Sequence, residues 1–212
     1  IKKCVDGAEY VLHIGAMVSP AADQYPEKTL YTNIGSTLNI IKAIKEQPDP
    51  DKVHLVYVGT VAMTGGRTEP VHWGRVGDPM NPSIFDYYAL SKVYSELALF
   101  ESGLKHWVSI RQTGQHPSSE GAGEEPIIFH QPPNNVLEWS TSIESGICMA
   151  NACEEWVPES FWRKAYNLSS GAGYRLATWE LMDLNLGAFG LGLKDLFDCD
   201  MIAQYNFHGH YY

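Results

Sequence analysis

The stretch YTNIGSTLNIIKAIKEQPDPDKVHLVYVGT, residues 31–60, places a helix directly before a strand. Its first half, residues 31–47, carries four apolar side chains at helical spacing: Ile34, Leu38, Ile41 and Ile44. The segment PDPD ends this helix, because proline cannot continue one. The run that follows, residues 52–60, is rich in β-branched residues and ends in Gly59 and Thr60, which predicts a buried strand that meets a loop.

Further strands and helices are predicted on both sides of this stretch. An apolar run over residues 8–16 predicts a preceding strand. After a loop rich in glycine and proline, residues 64–83, we expect a helix from about Tyr87 to Ser102 and a third strand over residues 106–114. This alternation of strands and helices predicts an α/β fold built from parallel βαβ units, with helices on both faces of the sheet.

The sequence changes character after Gly114. A loop-like segment follows, and the pattern then predicts a short strand, a turn and a helix over residues 135–155. A strand, a Gly-rich turn and a helix are expected over residues 164–184. We therefore place a domain boundary near residue 113, between a larger region, residues 1–113, and a small mixed α/β region, residues 114–212.

Composition and charge limit the classes of protein to consider. The chain has 212 residues, of which 44% are hydrophobic and 19% are charged, as is typical of a folded globular protein. Its net charge of −10 argues against sequence-independent binding of nucleic acid, which needs clustered Lys and Arg to neutralise phosphates. No apolar run approaches the roughly 20 residues that span a bilayer, so no membrane partner is predicted.

The cysteines and the tail histidines predict no metal site. The four cysteines, which form no Cys-x-x-Cys pair, are Cys4, Cys148, Cys153 and Cys199. We expect reduced thiols in a cytoplasmic protein. His208 and His210 are two residues apart in the segment FHGHYY, but no Asp, Glu or Cys joins them locally, so we expect them to be solvated.

Several motifs, in order along the chain, carry a resemblance to a known family. They are VLHIGAMVSP (11–20), NIGST (33–37), LVYVGTVAMTG (55–65), YALSKVYSE (88–96) and VSIRQTGQHP (108–117), followed by NNVLEWSTSIESG (134–146) and AYNLSSG (165–171). Together they resemble the extended short-chain dehydrogenase/reductase superfamily, the group of NAD-dependent epimerases and dehydratases, over roughly residues 5 to 180. The resemblance implies a Rossmann-type sheet in residues 1–113 that binds the cofactor, and a substrate-binding region in residues 114–212.

Tyr88 and Lys92 are the candidate acid–base pair. On a helix, residues four apart share a face, so both side chains point the same way. A free phenol has a pKa near 10, and a cationic Lys nearby stabilises its phenolate, as the positive ring of an oxidised nicotinamide does. Such a pair taken alone is usually a solvated helix face. Its place 28 residues after Thr60, whose hydroxyl ends a strand and is suited to bind a substrate oxygen, favours the catalytic interpretation.

The resemblance implies roles for particular residues. The catalytic residues that it implies are Thr60, Tyr88 and Lys92, and the cofactor-binding residues are Gly15, Ala16, Tyr88, Lys92, Gln112 and Thr113. Three positions depart from the family pattern. Gly59-Thr60 stands where two serines are usual, Thr64 where many members have Tyr, and Gln112 where they have Pro. Thr60 keeps the hydroxyl, so the proposed role survives.

A Gly-rich G-x-x-G-x-x-G turn, which opens the family's sheet and holds the cofactor pyrophosphate, is not found before residue 8. We therefore expect that the chain begins partway through a Rossmann domain, without its first βαβ unit. The segment SSGAGY (169–174) follows a late strand and is interpreted as a turn. NAD is the cofactor expected from the resemblance, and NADP is not excluded.

The predicted function is that of an NAD(P)-dependent epimerase, dehydratase or oxidoreductase acting on a carbinol or carbonyl carbon, of a sugar or nucleotide sugar. Two alternatives stay open: an NADPH-dependent carbonyl reductase for a small ketone or aldehyde, and a non-catalytic protein that senses dinucleotides. Residues 112–212 carry 4 Lys and Arg against 13 Asp and Glu, namely Arg163, Lys164, Arg175 and Lys194. A diphosphate needs cationic donors, so a smaller neutral substrate fits this charge balance equally well. The resemblance also implies a homodimer, formed through the helix with Tyr88 and its neighbour.

Overall fold

A computed structural model of the chain describes residues 1–65, 74–116 and 136–196. Its strands are β1 Tyr10–His13, β2 His54–Thr60, β3 Trp107–Gln112, β4 Gln115–His116, β5 Val136–Glu138, β6 Ser140–Thr141, β7 Lys164–Leu168 and β8 Arg175–Ala177. Its α-helices are α1 Lys2–Val5, α2 Ala21–Gln24, α3 Pro26–Lys45, α4 Tyr87–Phe100, α5 Ser142–Asn151, α6 Thr178–Gly187 and α7 Leu193–Leu196. Short 3-10 helices occupy Pro50–Lys52, Val61–Thr64, Glu159–Phe161 and Ala172–Tyr174.

Four parallel strands form the main sheet, in the order β1-β2-β3-β7. The register aligns Thr60 with Gln112 and Gln112 with Leu168, so the carboxyl ends of three strands meet at one edge of the sheet. This arrangement confirms the predicted α/β class with a parallel, Rossmann-type sheet. The sheet also extends across the predicted boundary near residue 113, because β7 pairs with β3 in parallel.

The helices α3 and α4 pack against each other and against one face of the sheet. The core on this face includes Ile44, Leu55, Tyr57, Leu99 and Trp107. Helix α3 begins at Pro26, five residues before the predicted start at residue 31. Proline is tolerated in the first turn of a helix because its missing N–H has no partner there.

The opposite face of the sheet is covered by α5 and the segment that follows it. Met149 and Trp162 pack there against Val56 and Val108. Helix α5 begins with a capping box, in which the Thr141 hydroxyl accepts the backbone N–H of the third helical residue and that residue's carboxylate accepts the N–H of Thr141. Helices therefore lie on both faces, as predicted.

Two small sheets complete the described structure. Strand β4 pairs with β6 in parallel, and β5 pairs with β8 in antiparallel orientation. The predicted Gly-rich turn between β7 and β8 is confirmed, and Gly171 adopts a left-handed conformation there with φ of 85°. Among the helices of the described ranges, none is both long and apolar enough to cross a membrane.

Candidate active site

The three predicted catalytic residues lie on two neighbouring elements. Thr60 is the last residue of β2, Tyr88 lies in the first turn of α4, and Lys92 follows one turn later. Helix α4 begins where it does because the Asp86 carboxylate accepts the backbone N–H of Ala89 at 2.7 Å. This cap fixes the first turn of the helix beside the carboxyl end of β2.

Burial governs the protonation of Tyr88. It raises the pKa of the phenol to about 12; a hydrogen bond with the Thr60 side chain acts in the opposite direction, and the nearby Asp86 charge raises the pKa further. The Thr60 hydroxyl oxygen also accepts the backbone N–H of Ala62 at 3.2 Å, which holds its side chain in place. In the chain alone, Tyr88 is therefore a neutral phenol at neutral pH.

Lys92 is buried, with 2% of its surface exposed. Its ammonium group donates to the carbonyl oxygen of Val58 at 2.8 Å. It also lies 4.8 Å from the ring centroid of Tyr57 and 5.8 Å from that of Tyr88. Burial lowers the pKa of Lys92 to about 8, so its ammonium is still mostly charged at neutral pH.

A pocket of about 260 Å³ opens at the carboxyl ends of β2 and β3. Its described lining consists of Val18, Ser19, Thr60, Val61, Ala62, Tyr88, Gln112, Thr113, Gly114, Gln115 and Leu137. Four of the predicted site residues, Thr60, Tyr88, Gln112 and Thr113, thus share one pocket. None of these described lining residues carries a charge at neutral pH.

The other predicted site residues lie outside the pocket lining. Lys92 lies within the fold, in contact with the Tyr88 ring. Gly15 and Ala16 belong to the loop after β1, and a methyl group placed on Gly15 would meet no atom of the described residues within 4 Å. The structure therefore joins Lys92 to the site through Tyr88 and leaves open space beside Gly15.

Asn33 holds the loop that carries Gly15 and Ala16, a role that the sequence analysis missed. Its side-chain amide accepts the backbone N–H of Met17 at 2.8 Å and donates to the Met17 carbonyl at 2.9 Å. It also donates to the Ser91 hydroxyl of α4 at 2.8 Å. Asn33 opens the NIGST motif, so the residue was visible in the sequence but its partners were not.

The sequence itself matches a known family. The sequence model of the NAD dependent epimerase/dehydratase family matches residues 1–111, slightly more than half of the chain. The chain belongs to the NAD-dependent epimerase/dehydratase family. A comparison with curated proteins finds no match.

Solved structures of epimerases and dehydratases share this fold. A dTDP-glucose 4,6-dehydratase from Streptomyces venezuelae, solved with NAD bound, is 18% identical with a TM-score of 0.69, over 91% of this chain and 61% of its own. A UDP-glucose 4-epimerase from Thermotoga maritima, solved with UDP-glucose, is 17% identical with a TM-score of 0.66, over 86% of this chain and 61% of its own. The Bordetella bronchiseptica enzyme WbmG, in complex with NAD and UDP, is 20% identical with a TM-score of 0.63, over 87% of this chain and 57% of its own. The chain thus spans about three fifths of the length of these enzymes.

Gly59, where the epimerase/dehydratase family usually has serine, lies against the neighbouring strand. A β-carbon added there would lie 2.7 Å from the hydroxyl oxygen of Ser109 and 3.1 Å from a side-chain carbon of Arg111. The Arg111 guanidinium is itself buried, and it is paired with the Glu96 carboxylate of α4. The departure from the family pattern therefore follows from close packing between β2 and β3.

The remaining departures are also accommodated. Thr64 is buried, and its hydroxyl donates to the Val61 carbonyl at 3.0 Å. The Gln112 amide donates to the hydroxyl of Ser145 on α5, a bond that proline, the family's usual residue, is unable to make. Gly114 packs against Trp139, whose ring would lie 2.5 Å from an added β-carbon, so this wall of the pocket requires glycine.

The four cationic side chains of the second half are not among the described residues that line the pocket. Arg175 pairs with Glu138 on the neighbouring strand, and Arg163, Lys164 and Lys194 are exposed. Within the described ranges, no three side chains among His, Cys, Asp and Glu converge as a metal site would require. The tail histidines His208 and His210 lie outside the described residues, as does Cys199.

Proposed function

We propose that the protein carrying this chain is an NAD-dependent epimerase or dehydratase that acts on a nucleotide sugar, with Thr60, Tyr88 and Lys92 as its catalytic residues. The observation that carries this proposal is the arrangement of Tyr88 at the pocket wall, hydrogen-bonded to Thr60 and one turn before a buried, charged Lys92. Family membership and the named activities of similar structures support it.

The described residues fit the nicotinamide and ribose part of a dinucleotide. Dinucleotides bind outside the carboxyl ends of parallel strands, where the open space beside Gly15 and the polar groups of Gln112 and Thr113 are found. The Lys92 ammonium has three donor hydrogens, and the bond to Val58 takes one of them, which leaves donors for a ribose hydroxyl. We propose NAD as the cofactor because similar structures were solved with NAD bound, and NADP remains to be tested beside it.

The proposed chemistry couples hydride transfer to proton transfer at one carbinol carbon. When bound, the oxidised nicotinamide supplies the hydride acceptor and adds positive charge beside Tyr88. Tyr88, ionised to its phenolate in the cofactor-bound protein, would take the proton of the substrate hydroxyl as that carbon is oxidised to a carbonyl, and would return it when the carbonyl is reduced. Thr60 holds the reacting oxygen, and the charge of Lys92 stabilises the phenolate of Tyr88.

The pocket is suited to the sugar part of the proposed substrate. Its described lining is uncharged and contains hydroxyl and amide groups that hydrogen-bond to sugar hydroxyls. The oxygen atoms Ser19 Oγ and Gln115 Oε1 of this lining have no hydrogen-bond partner among the described residues. A diphosphate needs cationic donors, so we propose that only the neutral sugar occupies this pocket.

We also propose that the protein is a homodimer through α3 and α4. Both helices expose large apolar side chains: Tyr31 and Leu38 on α3, and Tyr94 and Leu97 on α4. Contiguous exposed apolar groups on packed helices mark an interaction surface. Light scattering of the protein should give twice the mass of one chain, and Leu97→Glu should shift the protein to the monomer. The cytoplasmic location stays a prediction, consistent with free thiols at Cys4, Cys148 and Cys153.

The test of the proposed activity is the variant Tyr88→Phe in the protein that carries this chain. Conversion of UDP-glucose and dTDP-glucose should fall by at least about 100-fold, since proton transfer by a positioned side chain contributes 10²–10⁴-fold. NAD at 100 times its Kd should still stabilise the variant by about 2.7 kcal/mol in thermal melts, as it does the unmodified protein. Full turnover by Tyr88→Phe would remove Tyr88 from the mechanism.

A parallel melt with NADP separates the two cofactors. Absence of stabilisation by either would contradict the proposed dinucleotide site.

A further inference from the structure

The buried ammonium of Lys92 is held by a carbonyl and by aromatic faces. Its described contacts are the Val58 carbonyl at 2.8 Å, the ring of Tyr57 at 4.8 Å and the ring of Tyr88 at 5.8 Å. Removing an ammonium from water is costly unless its charge is compensated. Tyr57 lies closer than Tyr88, and it lies on β2, next to the strand residue whose carbonyl binds Lys92.

The Tyr57 ring is fixed within the core. It is 1% exposed, and the His13 ring packs edge-on against it with 5.4 Å between centroids. Burial raises the pKa of Tyr57 far above that of a free phenol, so the ring stays neutral. The face of an aromatic ring is electronegative and attracts a cation within about 6 Å of its centroid.

The other titratable groups near Lys92 do not replace this contact. His13, on β1, has its pKa lowered to about 4, first by burial and then by the charge of Lys92, so it is neutral at neutral pH. Glu96, one turn further along α4, has both carboxylate oxygens engaged by Arg111 and Ser109. Two α3 side chains, Asn33 and Thr37, bond to Ser91 and His13 in this region, and neither carries a charge.

We propose that Tyr57 is a positioning residue whose ring face holds the Lys92 ammonium, charged and in place, beneath Tyr88. The catalytic consequence rests on the function proposed above, whereas the contact itself does not. Tyr57 is not among the described residues that line the pocket, so its effect on the site passes through Lys92. Nothing in the family motifs quoted above assigns this role to the residue three positions before Thr60.

The contact is tested by titrating Lys92 directly. Lysine labelled with ¹³C at Cε is followed by NMR against pH, and the Lys92 signal is assigned by its loss in Lys92→Met. Tyr57→Phe keeps the ring and should leave the Lys92 pKa close to that of the unmodified protein. Tyr57→Leu removes the ring and should lower the pKa by about one unit, because the ammonium loses a desolvated cation–π contact.

A graded series protects the test against loss of folding in Tyr57→Leu. Phenylalanine, 4-fluorophenylalanine and 3,4,5-trifluorophenylalanine at position 57 have nearly the same size, but fluorine withdraws charge from the ring face. The Lys92 pKa should fall stepwise along this series. An unchanged pKa across the series would overturn the proposal, because packing alone does not respond to the charge of the ring.

Turnover measured on the same variants separates this proposal from the proposed function. The basic limb of the activity profile should move to lower pH together with the Lys92 pKa. A falling pKa with an unmoved limb would keep the Tyr57 contact and refute the catalytic role of Lys92. If the basic limb shifts while the Lys92 pKa stays unchanged, the contact is refuted and a different group in the site controls the pH dependence of turnover.

Discussion

The buried pair of Glu96 and Arg111 gives the sharpest stability prediction. Glu96 is 0% exposed and Arg111 is 2% exposed. The guanidinium donates to both carboxylate oxygens, and the Ser109 hydroxyl donates to one of them at 2.5 Å. The pair joins α4 to β3 directly behind the site, one turn from Lys92 and next to Gln112.

Removing one partner should cost far more than removing both. In Arg111→Met the Glu96 carboxylate stays buried with only a hydroxyl donor, so the free energy of unfolding should fall by about 3–5 kcal/mol. Glu96→Leu should cost a similar amount, because it leaves the guanidinium buried without an anion. The double variant buries no charge, so its free energy of unfolding should lie within about 2 kcal/mol of that of the unmodified protein. The two substitutions are therefore strongly non-additive.

Urea unfolding at neutral pH gives the free energy of unfolding of the unmodified protein, the two single variants and the double variant. These free energies are compared only if the four proteins have equal m-values. An exposed pair of the same chemistry provides the control: Arg175 and Glu138 are 61% and 33% exposed, and breaking their pair should cost at most about 1 kcal/mol. A coupling below about 1 kcal/mol between Glu96 and Arg111 would refute the reasoning. It would mean that the site behind α4 is hydrated in solution.

Three further predictions concern single residues. Gly59→Ala should cost about 1–3 kcal/mol by urea unfolding, because its new methyl group lies 2.7 Å from the Ser109 hydroxyl oxygen and 3.1 Å from a side-chain carbon of Arg111; an unchanged free energy of unfolding would show that the two strands separate freely there. His13 has a folded pKa of about 4 against 6.5 in a free residue, so the unfolded chain binds its proton first. The free energy of unfolding should therefore be unaffected by His13 above pH 6.5 and should fall by on the order of 3 kcal/mol as the pH drops to 4. In His13→Gln this part of the pH dependence should be absent. Asn33→Ala should lower Tm and raise the Kd for NAD, because the two backbone groups of Met17 lose their partner; an unchanged Kd would show that the loop keeps its place without the amide.

The sequence by itself determined the class of fold and the identity of the candidate catalytic residues. The class of fold rests on local patterns, the periodicity of α3 and the β-branched run of β2 that ends at Thr60, whereas the candidate catalytic residues rest on the ordered family motifs that surround Tyr88 and Lys92. Such patterns are determined within a few consecutive residues, because backbone geometry fixes which side chains share a face. The start of α3 was predicted late, because a proline in a first helical turn is also typical of a loop.

Only the tertiary structure decided which of these residues meet across the sheet. It joined β7 to β3, across the boundary predicted near residue 113. It brought Arg111 to Glu96 and Asn33 to Met17, and it placed the ring of Tyr57 against the Lys92 ammonium. These partners are 15 to 35 residues apart along the chain or on different elements, and their contact depends on crossover connections and strand register. Neither composition nor periodicity determines which distant residues come into contact, so the surroundings of Lys92 are known only from the folded chain.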